Sequence, residues 1–248
     1  MLTAKDFPEF KHKPLVMATG YDFPFARILE ASGVDVILVG DSLANVVLGL
    51  SSTREVGMDV MSIFVAAVAR GASHTHILAD MPYGSDVNAK LAVANGRIFM
   101  GLGAHSVKIE GSKMDAVKAL TSEGIPVVAH LGLLPQTAIS FKQVGHESLE
   151  RDEILRSADA LVAAGAVAMV LEHMVHDLAA EVTKRIPIPT IGIGAGKDVN
   201  GQVLVLHDFI GIHAGTPPPF AKVFADVHGE AMKGAGEYCR AVREGRFP

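Results

Sequence analysis

The sequence predicts an α/β protein folded as a single-domain (β/α)8 TIM barrel. Two observations carry this prediction. Short runs rich in β-branched residues alternate with longer amphipathic segments almost throughout the chain, and such alternation is typical of parallel strands joined by helices. Eight strand-like runs within 248 residues also match the usual size of one barrel. A doubly wound open sheet is the alternative, because alternation alone does not show that a sheet closes.

The strands and helices are predicted from these runs in chain order. The eight predicted strands are 15–19, 34–39, 76–79, 106–109, 126–129, 168–171, 189–193 and 203–206. The predicted helices between them are 24–32, 59–70, 88–102, 114–122, 151–164 and 175–185. We expect one domain over residues 1–248, with a short, peripheral N-terminal arm and a C-terminal tail that is helical over 230–246.

Composition limits the classes of partner and compartment. The formal net charge is -5 and no basic patch is visible, which argues against a nucleic-acid partner. Cys239 is the only cysteine, so no intramolecular disulfide can form and a cytoplasmic location is expected. The polar first residues do not form a signal peptide, and the longest apolar run, 158–171, is too short to span a bilayer. We therefore expect no membrane association.

Acidic residues directly follow four of the apolar runs. They are Asp41, Asp80, Glu110 and Glu172. In a parallel barrel the C-terminal ends of the strands meet at the mouth where chemistry occurs. Carboxylates desolvated beside apolar runs repel one another unless a cation joins them. Ligation by oxygen alone favours a hard divalent ion, magnesium before manganese or zinc.

Two basic residues lie at the same strand ends. Lys108 precedes Glu110 by two residues, a spacing that places both side chains on one face of a strand. Its ammonium group can therefore meet an anionic substrate in the same cavity. His130 ends the fifth predicted strand and is either structural or catalytic.

Asp41 and Ser42 also have the pattern of a helix N-cap, so the metal-site interpretation depends on the acidic residues acting together.

Two further motifs are weaker signals. Glu172, His173 and His176 suggest zinc, but a zincin has its two histidines on either side of the glutamate. The glycine-rich segment 191–201 does not have G-x-G-x-x-G spacing, and Asp198 stands where a P-loop requires Ser or Thr. Its glycines favour a tight turn after the seventh strand or the close approach of backbone to a ligand. His207 and Asp208 end the last predicted strand and are expected to tie the barrel closed.

Six long runs resemble the ketopantoate hydroxymethyltransferase family. They are LVGDSLANVVLG (38–49), ILADMPYGS (77–85), VKIEG (107–111), GIPVVAHLGLLPQ (124–136), MVLE (169–172) and IGIGAGKDVNGQVLVLHD (191–208). The resemblance implies a barrel related in fold to the phosphoenolpyruvate mutase and isocitrate lyase group. It implies a hydroxymethyltransferase of pantothenate biosynthesis, which transfers a one-carbon unit from 5,10-methylenetetrahydrofolate to 3-methyl-2-oxobutanoate and forms 2-dehydropantoate through a magnesium-stabilised enolate.

The same resemblance implies roles for individual residues. The metal ligands are matched by Asp41, Asp80 and Glu110. The oxoacid-binding positions are matched by Asp41, Ser42, Asp80 and Lys108. Glu172 matches the acid–base residue. The family also implies a homo-oligomer, a decamer of stacked pentamers.

Some positions depart from the family pattern. Gly20 replaces a common alanine, Leu50–Ser51 replaces a common His-Asp, and Leu134 replaces a common threonine. None of these is a matched metal ligand, so the departures bear on folate binding and loop closure. Two other functions stay open: a magnesium-dependent oxoacid C–C lyase or mutase of the related superfamily, and a non-catalytic metabolite-binding homologue. The complete set of matched acidic residues argues against the second.

Overall fold

Eight parallel strands form a closed barrel in chain order. The protein is seen in a computed structural model that describes residues 2–212 and 217–248. The strands are β1 Leu15–Thr19, β2 Val36–Val39, β3 His76–Asp80, β4 Ser106–Glu110, β5 Val127–Gly132, β6 Ala168–Glu172, β7 Thr190–Ile193 and β8 Gly201–Leu204. The closed order confirms the predicted barrel and excludes the open sheet.

The α-helices are α1 Phe23–Ala31, α2 Leu43–Val46, α3 Met58–Gly71, α4 Ala89–Gly101, α5 Met114–Ser122, α6 Ser148–Ala163, α7 His176–Arg185, α8 Leu206–Phe209 and α9 Val227–Arg243. Helices α1 to α7 lie between the strands, and α8 and α9 follow β8. The predicted helices are all present with small shifts of their ends. The single-turn helices α2 and α8 were not predicted, because four residues show no helical period.

The last strand begins earlier than the sequence predicts. β8 covers Gly201–Leu204 rather than 203–206. Gly201 approaches β1 so closely that a Cβ atom there would lie 2.4 Å from the Leu15 carbonyl oxygen, and the Leu15 amide donates to the Asn200 carbonyl at 3.0 Å. His207 and Asp208 consequently lie in the short helix α8 and not at a strand end.

The N-terminal segment is part of the barrel core rather than a peripheral arm. Ala4–Lys11 forms a 3-10 helix, in which residues three apart share one face. Phe7 is 0% exposed and Phe10 5% exposed, and both pack in one cluster with barrel residues such as Val128. The expectation of a peripheral arm was wrong because local sequence does not reveal which surface two aromatic rings will cover.

His76 joins this segment to the start of β3. Its Nδ1 lies 3.1 Å from the Leu2 carbonyl oxygen and its Nε2 lies 2.7 Å from Ser106 Oγ. Because a carbonyl only accepts, Nδ1 carries the proton and Nε2 accepts from the serine hydroxyl. The Phe7 ring packs edge-on against the imidazole, with centroids 5.2 Å apart. Burial lowers the pKa of His76 to about 4.

The chain divides into two compact units, Met1–Val203 and Leu204–Pro248. In the second unit, α9 confirms the helix predicted for the tail, and Asp226 caps it by accepting from the Gly229 amide at 2.9 Å. None of the residues of α9 is buried. The assignment of residues 1–248 to one domain stays a prediction. Within 2–212 and 217–248, no helix is long and apolar enough to cross a membrane.

Candidate active site

The register of the strands brings the predicted polar residues to one end of the barrel. Asp80 is opposite Lys108, Glu110 is opposite His130, and Gly132 is opposite Glu172. These residues stand at or close to the C-terminal ends of β3 to β6. Neighbouring parallel strands therefore place their side chains side by side at the mouth.

A buried lysine lies among the predicted carboxylates. Asp41, Asp80, Lys108 and Glu110 are each at most 4% exposed. Lys108 Nζ lies 2.8 Å from Asp80 Oδ1 and 3.6 Å from Glu110 Oε1. The Asp41 amide donates to Asp80 Oδ2 at 3.2 Å. The structure thus brings together the three carboxylates and the ammonium group that sequence reasoning selected.

The electrostatics of this cluster favour an additional cation. Burial and the neighbouring Asp80 charge raise the pKa of Asp41 well above its ordinary value, and burial also raises the pKa of Asp80. Burial alone would lower the pKa of Lys108, but the carboxylates outweigh it and raise this pKa. The carboxylates of Asp41 and Asp80 are therefore costly to keep ionised at this site, and an added cation would reduce that cost.

His130 connects this cluster to Glu172. His130 is 1% exposed; its Nδ1 lies 3.5 Å from Glu110 Oε1 and its Nε2 lies 3.3 Å from Glu172 Oε2. Burial and Lys108 act to lower the pKa of His130, but the contacts with the two glutamates outweigh them and raise it to about 9. His130, whose role the sequence left open, thus lies between Glu110 and the predicted acid–base residue Glu172.

Gly132 holds the ends of β5 and β6 close together and is expected to tolerate no side chain. Its φ is 103°, and a Cβ atom would lie 2.2 Å from the Glu172 carbonyl oxygen. We expect Gly132→Ala to lower the free energy of unfolding by more than about 2 kcal/mol in urea titrations, through the strained φ and the contact with backbone. Gly101→Ala is the control, because a Cβ atom there meets no atom within 4 Å. Equal losses in the two variants would contradict this explanation.

Ser42 does not act as the cap that its sequence suggested. It occupies the N-cap position of α2, but its side chain makes no capping hydrogen bond. Its Oγ instead lies 2.9 Å from the Tyr21 hydroxyl oxygen. The preceding residue, Asp41, faces Asp80 as described above. The pair Asp41–Ser42 is therefore part of the buried cluster and does not cap the helix through its side chains.

Gln136 is a residue of this site that sequence reasoning missed. It is 1% exposed, and its Nε2 donates to Asp41 Oδ2 at 2.8 Å and to the Met81 carbonyl at 2.9 Å. Its backbone amide donates to Glu110 Oε2 at 3.2 Å. Gln136 lies four residues beyond the end of β5, and the strand-end pattern does not extend that far.

The donor set fits a hard cation by its chemistry. Within the described ranges 2–212 and 217–248, no three His, Cys, Asp or Glu side chains already surround a common point for an ion, since the carboxylates contact Lys108 and Gln136 instead. Asp80 Oδ1 is buried, and the Lys108 ammonium group lies 2.8 Å from it. Three buried carboxylates with excess negative charge are the oxygen ligands that Mg²⁺ and Mn²⁺ prefer.

Solved structures share this fold. Phosphonopyruvate hydrolase in complex with oxalate and Mg²⁺ aligns with a TM-score of 0.67 and 15% identity, covering 99% of this chain and 88% of that one. A 2,3-dimethylmalate lyase, described as a phosphoenolpyruvate mutase/isocitrate lyase superfamily member, aligns with a TM-score of 0.62 and 17% identity over 100% of this chain and 90% of the other. The predicted fold relationship is confirmed.

Sequence comparison is more specific. A relative from Staphylothermus marinus, named 3-methyl-2-oxobutanoate hydroxymethyltransferase, is 42% identical over 254 residues, covering 100% of this chain and 93% of the relative. One from Thermotoga maritima with the same name is 45% identical over 240 residues, covering 94% of this chain and 89% of the relative. The model of the ketopantoate hydroxymethyltransferase family matches residues 1–248. This chain therefore belongs to the ketopantoate hydroxymethyltransferase family.

Proposed function

We propose that this enzyme transfers a hydroxymethyl group from 5,10-methylenetetrahydrofolate to 3-methyl-2-oxobutanoate and so forms 2-dehydropantoate for pantothenate biosynthesis. The observation that carries the proposal is the buried cluster at the barrel mouth, in which Asp41, Asp80 and Glu110 surround Lys108 and His130 leads to Glu172. Family membership supports the pathway. The cluster supplies the chemical groups that an oxoacid substrate and its deprotonation require.

Asp41, Asp80 and Glu110 would hold Mg²⁺. The support is their burial, their shared position at the strand ends and the raised pKa of Asp41, which results from burial first and from the neighbouring Asp80 charge second. Bound there, Mg²⁺ would supply Lewis-acid polarisation of the keto group of the substrate, which would make the C3 proton more acidic.

The protein's own residues would bind the substrate and move the proton. Lys108 stays cationic and Ser42 offers a hydroxyl group, so the two would hold the oxoacid together with Asp41 and Asp80. Glu172, whose side chain is 18% exposed, can reach a substrate in the mouth and act as acid–base residue. His130 Nε2 lies 3.3 Å from Glu172 Oε2 and would orient this side chain.

Removal of the metal is expected to abolish this activity. With 3-methyl-2-oxobutanoate and 5,10-methylenetetrahydrofolate, we expect 2-dehydropantoate to form with Mg²⁺. In EDTA its rate should fall by more than about 100-fold, and excess Mg²⁺ should restore it. Chromatography of the reaction mixture measures the consumption of both substrates and the formation of 2-dehydropantoate.

The same assay separates the other candidate functions. Cleavage or rearrangement of an oxoacid without consumption of the folate would favour the lyase or mutase function that the structural neighbours' names suggest. Binding of the oxoacid without any turnover would indicate a non-catalytic homologue. Either result would contradict the proposed transfer. The homodecamer and the cytoplasmic location stay predictions.

A further inference from the structure

Gln136 contacts two of the three proposed metal ligands at once. We infer that Gln136 is a positioning residue, which orients the carboxylates of Asp41 and Glu110 so that one defined oxygen of each faces the ion. This inference rests on the proposed metal site. Gln136 itself is not assigned a contact with metal or substrate.

The side chain of Gln136 fixes Asp41 relative to β3. An amide NH₂ group has two hydrogens, and here one is donated to Asp41 Oδ2 and the other to the Met81 carbonyl oxygen. Met81 is itself fixed, because its amide donates to the Lys108 carbonyl at 3.0 Å. The Asp41 carboxylate is therefore tied to the ends of β3 and β4 through one buried side chain.

The backbone of Gln136 fixes Glu110 and links a third loop. Its amide donates to Glu110 Oε2, and its carbonyl accepts from Arg54 Nε at 2.5 Å. Arg54 belongs to the 3-10 helix Thr53–Glu55 after β2, and its guanidinium carbon lies 5.3 Å from the centre of the Tyr83 ring, in the loop after β3. The contacts of Gln136 and Arg54 thus join the loops that follow β2, β3 and β5.

These contacts select among the carboxylate oxygens. Gln136 engages Oδ2 of Asp41 and Oε2 of Glu110, so the other oxygen of each carboxylate would be the one turned towards a bound ion. Glu110 Oε1 also faces Lys108 and His130. Without the two donors, mutual repulsion among three buried carboxylates would turn them apart. A hydrogen-bonded partner behind a ligand typically accounts for 10–100-fold in metal affinity or activity, about the size of effect expected here.

The test is Mn²⁺ binding to the folded protein, followed by electron paramagnetic resonance. Gln136→Met keeps the volume and the backbone amide but removes both side-chain donors. We expect its Kd for Mn²⁺ to rise about ten-fold or more, with kcat for 2-dehydropantoate formation lowered by a similar factor. Gln202→Met is the matched control, since Gln202 is exposed and its Nε2 donates to the Gly196 carbonyl at 2.9 Å. That variant should keep the wild-type Kd.

A second variant covers the case in which Gln136→Met does not fold. Arg54→Met removes the donor to the Gln136 carbonyl from an exposed position, and it should raise the Kd for Mn²⁺ in the same direction by a smaller factor. Wild-type Mn²⁺ affinity in the folded Gln136→Met protein, or in Arg54→Met if only that variant folds, would overturn the inference and indicate a purely structural role.

Failure of the proposed function gives a different result. A wild-type protein that binds Mn²⁺ but makes no 2-dehydropantoate would contradict the reaction, while the difference in Kd between wild type and Gln136→Met would still decide the role of Gln136. A wild-type protein that binds no Mn²⁺ would remove the metal site, and the inference would fall with it.

Discussion

Replacing Glu110 by glutamine is expected to lower kcat/KM for 2-dehydropantoate formation by more than about 100-fold. Groups that only hydrogen-bond to a metal ligand account for up to that factor, and Glu110 is itself a proposed ligand. The side chain keeps its shape, but the charge that faces both Lys108 and His130 is lost. Burial acts to raise the pKa of Glu110, yet Lys108 and His130 outweigh it and lower this pKa to about 2. The carboxylate is therefore ionised throughout the working pH range, and glutamine mimics a form that the enzyme does not populate.

The measurement is steady-state kinetics together with Mn²⁺ titration. The Kd for Mn²⁺ should rise along with the loss of turnover, because a proposed ligand is neutralised. Glu123→Gln is the matched control: it removes an equal charge from an exposed ion pair with Arg97, and such pairs contribute little. Wild-type kinetics in Glu110→Gln would refute its assignment as a metal ligand.

Acid is expected to destabilise the N-terminal end of the barrel through His76. This residue has a pKa of about 4 in the folded chain, against an ordinary value of 6.5. Between these values the unfolded chain binds more protons, so the free energy of unfolding falls as the pH falls from about 6.5 to about 4. The contribution of this one residue is about 2 kcal/mol between pH 7 and pH 5.

Urea unfolding of His76→Gln at these two pH values tests this expectation. Glutamine does not titrate, so the loss of stability from pH 7 to pH 5 should be smaller than in wild type by about 2 kcal/mol. His74→Gln, at an exposed position two residues earlier, should keep the full loss. An unchanged pH dependence in His76→Gln would show that the acid sensitivity lies elsewhere.

The barrel and the acidic cluster were predictable because both follow from regular patterns. Alternation gave the strands, and the position after each apolar run gave Asp41, Asp80, Glu110 and Glu172. The approach of His130 to Glu172 was not predictable, since it depends on strand register and on the close packing of Gly132. Those are properties of tertiary structure, which a local pattern does not contain.

The other features that the sequence did not predict have similar causes. Gln136 was overlooked because an uncharged amide shows its importance only when both of its partners are known. The burial of Phe7 depends on a surface built by strands far along the chain. In each case the deciding contact joins segments that are distant in sequence, whereas the correctly predicted features are carried by short runs.

The packing of the N-terminal 3-10 helix against the barrel has a consequence for synthesis on the ribosome. The Lys11 carbonyl oxygen accepts from Asn200 Nδ2 at 2.9 Å, and Lys11 Nζ donates to the Thr183 carbonyl oxygen. Most of the chain must therefore have emerged before the first residues find their native partners. During that interval the aromatic rings of Phe7 and Phe10 are exposed to other nascent chains and to chaperones. Closure of the barrel is thus expected to be a late, long-range step of folding.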